Sequence, residues 1–374
     1  MNALFIGPYR QADGWGAASR DYIKAIATQI NNITTRPLYY THNKINKLDS
    51  SIENYEKNIY DHYDIAFQKA LPHNFSINRM VKKNVGLTVF ETNNISNSQC
   101  VANINGLDEI CVPSSTEEKN LRESGVTTKI KVISQPIDTE AYKSKTDTKL
   151  DFKSPTKKTF YFYTIGEYIE RKNLKDLVIA FNLAFDNIDD VGLVIKTSVN
   201  GLNSNQARNK IEEDISKIKK TLRVKSQYKK EIIVTEYLSD DDLIGLHNSC
   251  HCFVLPSFGE AFCRPAAEAL VLGNTPIVTD KTGSCDFINN ENGYIINSRK
   301  QPVILNQPNL SDDYDIYNAL EYWYQPSVTH LIECMQKAYK TYKNNRPEYE
   351  KKKQIGIDSI EQFSYTNIGK KICD

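Results

Sequence analysis

With 374 residues, the chain is long enough for two domains and a sizeable buried core. Hydrophobic residues make up 40% and charged residues 25%, ordinary values for a soluble globular protein. A formal net charge of +1 gives no electrostatic reason to expect nucleic acid or an anionic membrane as partner.

The chain opens on a short apolar strand, Ala3 to Gly7, too brief and too poor in basic flanks for a signal peptide. A Gly-containing loop and a helix over about 17–30 follow, with strands predicted at 35–40, 64–68, 85–90, 109–112 and 131–133. Ser114 or Ser115 suits a helix N-cap, with Gly125 at that helix's end. Residues 140–158 are polar, charged and weakly periodic, and read as an interdomain connection. The second half predicts a strand at 159–165, a helix at 174–185, a strand at 192–197, a Lys-rich helix over about 206–224 and a strand at 231–235. Ser239 with Asp242 resembles a capping box for a helix to Asn248. An apolar strand at 251–256 follows, then strands at 277–279 and 294–296, and mostly helix from Ser311 with a break at Pro326. Short apolar runs alternating with amphipathic helices predict an α/β fold with parallel sheets. No apolar run approaches the roughly 20 residues that span a bilayer, so a substrate at a membrane would be met peripherally.

The eight cysteines contain no C-x-x-C pair and no regular spacing, which reads as free thiols in a reducing cytoplasm. Cys250-His251-Cys252 is half a metal site without a second half, on a strand where Cys is a common core residue. Asp240-Asp241-Asp242 contains a D-x-D, but acids are favoured at a helix start in any case. No metal is expected.

The densest chemistry lies in SFGEAFCRPAAEALVLGNTPIVTD, residues 257–280. Glu260 and Glu268 are separated by seven residues, with Pro265 suited to the first helical position between them. A strand–turn–helix unit aims the amides of Phe262, Cys263 and Arg264 at whatever lies above the strand, where they suit a phosphate or a sugar hydroxyl. Singly, Glu268 also reads as a helix-dipole partner and Glu260 as a solvated loop acid. Upstream, Gly166-Glu-Tyr-Ile-Glu-Arg-Lys-Asn173 follows a strand, and Arg171 and Lys172 suit a diphosphate there, or simply a solvated loop. Gly14-Trp15-Gly16-Ala-Ala-Ser19 nearly matches a dinucleotide fingerprint, but its third Gly is Ser19 and the glycines do not follow the strand directly. The loop suits close approach to a ligand, or a flexible turn. Glu91 ends an apolar strand and is either cleft-facing or solvated.

Taken together, these segments resemble GT-B glycosyltransferases of family 4, the large retaining group. Glu260 and Glu268 match its E-x7-E motif, GEYIERKNLKDLVIAF its phosphate loop and helix, LGNTPIVTDKTGSCDFI…NGYII its small-residue turn and strand, and DEICVPSSTEEKNLRESGV and KIKVISQPIDTEAY the end of its first domain. The likeness is strongest over residues 108–138 and 160–300. It implies two Rossmann-like parallel-sheet domains facing a central cleft. Residues 1–145 would form an acceptor-binding domain, 146–346 a nucleotide-sugar domain, and 347–374 a helix crossing back to the first. It implies a nucleotide diphosphate sugar as donor, UDP being the expected nucleotide, transferred with retention and without metal or other cofactor. Arg171 and Lys172 would hold the diphosphate, Glu268 the ribose and Glu260 the donor sugar. Phe262, Cys263 and Arg264 would stand at the helix entrance, Gly166 in the phosphate loop, and Gly14 and Gly16 would close from the first domain. Glu91 takes a sugar- or acceptor-facing catalytic role.

Three residues depart from the family. Glu167 stands where a basic residue is usual, Cys263 where a small Gly is usual, and Glu91-Thr92 where many relatives carry His. Glu167 and Cys263 support the alternative of a catalytically silent sugar-nucleotide-binding protein. A glycosidase or dehydrogenase fits less well. The acceptor stays open among glycan, lipid-linked sugar, protein and modified DNA base.

Overall fold

The first half folds around six strands: β1 Asn2–Gly7, β2 Asn32–Pro37, β3 Tyr63–Lys69, β4 Val81–Leu87, β5 Glu109–Val112 and β6 Lys129–Val132. The structure is a computed structural model, and it describes residues 1–40, 45, 47–152, 159–222, 229–304 and 320–374. All six strands run parallel, in the order β2-β1-β3-β4-β5-β6. Parallel strands are covered on both faces, and β5 is accordingly buried at every position. The helix Gly14–Ala27 buries Ala18, Tyr22, Ile23 and Ile26, and Tyr22 donates its hydroxyl to the Ile133 carbonyl at 3.1 Å. The strand order reverses between β1 and β3, which leaves a crevice at their carboxyl ends.

The second half repeats the plan with β7 Phe160–Glu167, β8 Val191–Ser198, β9 Ile232–Val234, β10 Cys252–Leu255, β11 Thr275–Thr279 and β12 Tyr294–Ile296. These are also parallel, in the order β12-β11-β10-β7-β8-β9. Here the order reverses between β7 and β10. Phe160, Phe162, Leu193, Ile195, Val254 and Ile277 line a core closed by helices Leu174–Ala184 and Val328–Asn344. A fully buried Phe contributes about 1.5–3 kcal/mol over an exposed one, so this run anchors β7 firmly.

By contact density the chain divides into two units. One comprises Met1–Thr139, a short return ending at Tyr322, and Glu361–Asp374; the other holds the remainder, from Glu140 and from Trp323 to Ile360. The first boundary therefore falls six residues before the expected 145/146 division, and the C-terminal segment divides at Ile360 rather than at Pro347. Packing explains both. Residues 140–152 are no bare linker: Asn248 donates to the Lys145 and Thr148 carbonyls at 2.9 and 3.0 Å, and Leu150 N donates to the Gly245 carbonyl at 3.3 Å. Residues 153–158 lie outside the described set. Helix Arg346–Ile360 packs on Arg264–Val271 in the second unit, whereas Tyr365–Cys373 packs on Gly14–Ala27 in the first.

Most predicted elements are present, with ends shifted by a few residues. Ser114 is the N-cap, accepting from Glu117 N at 3.3 Å, and Gly125 takes φ 90° just past the helix. Ser239 accepts from Asp242 N at 3.1 Å. Corrections concern five places. The strand expected at 85–90 ends at Leu87, so Glu91 lies in a loop beyond it. The strand expected at 35–40 begins earlier, at Asn32, and ends at Pro37. Tyr322–Pro326 is a strand paired with Ser298–Pro302 rather than helix, as three aromatic or β-compatible residues before a proline favour. Helices Ser50–Lys57 and Ser98–Asn105 were not foreseen. The ends of the Lys-rich helix beyond residue 222 and the predicted helix over 311–319 lie outside the described residues.

The two glycines of the first loop differ. A Cβ on Gly16 would lie 2.1 Å from the Gln11 carbonyl oxygen, whereas one on Gly14 would meet nothing within 4 Å. Gly16→Ala is expected to destabilise the chain by about 1–3 kcal/mol, the usual cost of forcing a packed backbone apart. Gly14→Ala is expected to leave stability within about 1 kcal/mol of wild type. Chemical denaturation of both variants checks this, and equal losses would contradict it.

Candidate active site

The reversal between β7 and β10 brings two loops side by side. The loop after β7 makes a 3-10 turn at Glu170–Lys172 and then turns into helix Leu174–Ala184 through Asn173, at φ 53°. Asn suits this left-handed position because its side chain bonds locally. Here Asn173 Nδ2 donates to the Asp176 carboxylate at 2.9 Å and to the Pro256 carbonyl at 3.0 Å, tying this loop to the one after β10. Phe258 N donates to the Arg171 carbonyl at 2.8 Å, and Thr279 Oγ1 to the Ser257 carbonyl at 2.7 Å.

These ties place three charges together. Arg171 Nη1 donates to the Gly259 carbonyl at 2.6 Å and to Glu260 Oε1 at 2.8 Å, and Lys172 Nζ donates to the same oxygen at 2.7 Å. Arg171 and Glu260 are buried, while Lys172 is partly exposed. Burial alone would push the Glu260 carboxyl up, but the charges of Lys172 and Arg171 and their hydrogen bonds outweigh it and hold the pKa below the usual carboxylate range. Two cations against one carboxylate leave a net positive charge in a low-dielectric crevice, a setting that favours an anion. The main chain of Glu260 is also fixed, since Gly283 N donates to its carbonyl at 2.7 Å. Gly166 lies in the same recess, beside Thr164, Glu167, Thr197 and Leu255.

Helix Arg264–Val271 begins one residue earlier than Pro265 alone suggested. Cys263 is its N-cap, at φ 69° and ψ 68°, and provides no side-chain cap. This left-handed backbone is the physical reason a Gly would be at ease there. The Cys263 thiol is buried and its pKa is pushed well up by that burial, which disfavours the reactive thiolate. Phe262 packs on Phe287 at 4.9 Å between ring centroids. Arg264 turns along the helix and its Nε donates to Glu268 Oε1 at 2.7 Å. Glu268 is buried, and burial raises its pKa, but the Arg264 charge and contacts from His247 and Tyr142 bring it below the usual value. Behind it, Tyr163 OH lies 2.6 Å from His247 Nδ1, and Asn274 donates to Tyr163 OH at 3.0 Å and to the His247 carbonyl at 2.7 Å. Glu268 Oε2 lies 3.7 Å from His247 Nε2 of this cluster, so it is a buried acid with charged and polar neighbours rather than a solvated one.

In the first unit, Gly14 and Gly16 open helix Gly14–Ala27, with Asp13 accepting from Gly16 N at 2.8 Å. Arg10 of the same loop is bound to Glu56. Glu91 lies near Glu117 and Lys69.

Sequence reasoning missed the His247–Tyr163–Asn274 cluster, the left-handed turn at Asn173 and Lys69. His247 and Tyr163 sit within ordinary apolar stretches. Lys69 carried a readable signal, a charge closing an otherwise apolar strand. The two metal-like patterns resolve otherwise. His251 Nδ1 accepts from Tyr161 N at 3.1 Å, Cys250 and Cys252 are buried, and Asp241 and Asp242 engage Lys145 and Ser239. Among the described residues no group of three or more His, Cys, Asp or Glu is placed to hold a metal, and no helix is long and apolar enough to cross a membrane.

Residues 146–305 match the family described as Glycosyl transferases group 1. A serotype-specific mannosyltransferase, WbdA of Escherichia coli, is 35% identical over 74 residues, which is 19% of this chain and 9% of WbdA, so the chain aligns with only a small part of that relative's length. Among solved structures, one titled trehalose-6-phosphate from E. coli bound with UDP-2-fluoro glucose superposes with a TM-score of 0.69 at 9% identity, covering 100% of this chain and 98% of that one. Sucrose-phosphate synthase of Thermosynechococcus elongatus gives 0.65 at 13% identity, covering 100% and 97%. HepE of Anabaena in complex with UDP and glucose gives 0.65 at 12%, covering 100% and 98%. With two parallel six-stranded sheets and these neighbours, the chain has the GT-B glycosyltransferase fold, and the stretch that matches the group 1 family model falls in its second unit.

Proposed function

We propose that this protein transfers a sugar from a nucleotide diphosphate sugar to an acceptor hydroxyl with retention of configuration, as family 4 enzymes do. The observation that carries the reading is Glu260 Oε1 held between Arg171 and Lys172 where β7 and β10 diverge. The diphosphate engages Lys172 and Arg171 and loosens their hold on Glu260, whose carboxylate then accepts from hydroxyls of the donor sugar. Glu268 accepts from the ribose, with Arg264 shifting from it, and the amides around Phe262 and Cys263 and the Gly166 turn complete the cradle. Gly14 and Gly16 supply backbone that approaches the donor, and Glu91 faces the acceptor. Fixed positive charge stabilises the departing diphosphate, the role a metal fills elsewhere, so chelation is expected to leave turnover intact. The likeness to structures that hold UDP-2-fluoro glucose or UDP favours UDP as the nucleotide. The protein acts in the cytoplasm and meets any membrane-borne acceptor peripherally.

A thermal-shift screen against UDP-, GDP-, ADP- and TDP-sugars, with NAD as control, tests the donor site, because a ligand of the folded state raises the melting temperature. One nucleotide series is expected to raise it, and Lys172→Ala and Glu268→Ala to abolish the rise. No shift with any sugar nucleotide would refute the reading. With the responding donor, Lys172→Ala is expected to lower turnover about 10²–10³-fold, the usual cost of one electrostatic donor, while EDTA changes nothing.

The charge triad also makes a stability prediction. Arg171→Ala leaves Glu260 buried with one partner and is expected to cost about 3–5 kcal/mol. Because the Glu260 pKa is lowered in the folded state, its stabilisation is present above the ordinary carboxylate value and is lost as pH falls. The stability gap between wild type and Glu260→Gln is therefore expected to be widest near pH 7 and to close below about pH 4. Denaturant melts at several pH values check both statements.

A further inference from the structure

A second charged group stands at the other switch point, in the first unit. Lys69 is the last residue of β3, beside the end of β1, where a Cβ on Gly7 would come within 3.1 Å of Lys69 Cβ. Its side chain is 2% exposed. Among the described residues its ammonium makes no hydrogen bond or ion pair; it lies over the indole of Trp15, 3.9 Å from the ring centroid. Trp15 belongs to the Gly14–Gly16 turn and is half-buried, with its edge on Tyr40 at 5.9 Å between centroids. The charged groups that act on Lys69 are Glu91, from the loop after β4, and Glu117, from helix Ser115–Glu123; Gly7 and Trp15 bring none. Glu117 accepts from Phe90 N at 2.6 Å, and burial raises its pKa well above normal. Burial likewise lowers the Lys69 pKa to about 7 against the pull of both carboxylates.

Burying an ammonium without a full counter-charge is costly, and the fold does so at the crevice where open α/β sheets take their ligands. We infer that Lys69 is a positioning residue that grips one face of the Trp15 indole and presents the rest of the ring as a platform for a saccharide, in the first unit. An indole offers a flat apolar face to the C–H face of a pyranose. The inference rests on the transferase reading for its biological meaning, the saccharide being the acceptor, but not for its physics.

Tryptophan emission tests it. The chain has two Trp, and Trp323 is buried at 1% exposure in the second unit, so the signal missing from Trp15→Phe belongs to Trp15. The full chain is titrated with pH, and then with methyl glycosides and disaccharides of glucose, galactose and mannose. Trp15 emission is expected to follow one ionisation with a midpoint near about 7, which Lys69→Met removes. At least one saccharide is expected to shift Trp15 emission, with its affinity reduced at least tenfold in Lys69→Met and in Trp15→Ala. The rise in melting temperature with the donor nucleotide stays unchanged in Lys69→Met. Folding provides a separate readout. A lowered lysine pKa penalises the folded state fully below about pH 7, with relief as pH rises towards about 10. Lys69→Met should therefore gain most in melting temperature over wild type on the acid side. Saccharide binding indifferent to Lys69→Met, or no response of Trp15 to any saccharide, overturns the inference. A missing donor shift with Trp15 still responding to saccharide instead overturns the transferase reading and leaves the platform standing.

Discussion

The second unit is organised around one carboxylate oxygen that accepts from two cations. Glu260 Oε1 joins Arg171 from the loop after β7 to Lys172 beside it, while the Glu260 main chain is held by Gly283 from the segment after β11. Loops that follow three different strands thus converge on one residue. Each loop could wander alone, but desolvated charges do not tolerate separation. The sheet order makes this possible, since the reversal between β7 and β10 is what brings the two loops to the same place. The Asn173 and Thr279 hydrogen bonds then fix their height. The same contacts that hold the loops gather two cations round one carboxylate, the feature on which the proposed donor site rests.

Much of this was legible in the sequence, for definite reasons. The strand–turn–helix unit around 252–271 shows itself by a buried apolar run, a proline at a helix start and two acids whose spacing puts one in the loop and one a turn inside the helix. The alternation of strands and helices gave parallel sheets, because parallel strands need crossovers and crossovers are helical. What a linear reading does not contain is pairing. Arg171 and Lys172 could each have been solvated, and Glu268 could have been a dipole partner. Only the fold shows that Arg171 shares Glu260 with Lys172, and that Arg264 turns back along its own helix to Glu268.

The misplaced readings share a cause. Residues 140–152 look like a linker because they lack periodicity, yet the carbonyls of Lys145 and Thr148 accept from Asn248 and the Leu150 amide donates to Gly245, and hydrogen bonding to a neighbouring helix leaves no hydrophobic pattern. Tyr322–Pro326 reads as part of a helical stretch because an aromatic run before a proline suits either state until a partner strand is known. The apolar run to Phe90 reads as a strand that ends at Glu91, whereas the ladder stops at Leu87 and Phe90 N donates to Glu117 instead. In each case a polar contact distant in sequence decided the local structure.

Lys69 shows the same limit from the other side. Its strand, YDIAFQK, ends in a charge that propensity reads as solvated. The register of β3 between β1 and β4 carries it inward instead. Gly7 across the ladder leaves room for the stem, and the Trp15 ring covers its head. A stability-driven sequence would place methionine or leucine there, since burying the charge carries a penalty that the Trp15 ring and the two carboxylates only partly offset. Nothing in the packing of β3 requires an ammonium. The residue is therefore accounted for by its hold on Trp15, and not by the core it sits in. The two units thus use charge in opposite ways. In the second, cations are matched by a carboxylate and their excess invites an anion. In the first, a cation is left to an aromatic face, which fixes the ring while adding little net field to repel an uncharged sugar.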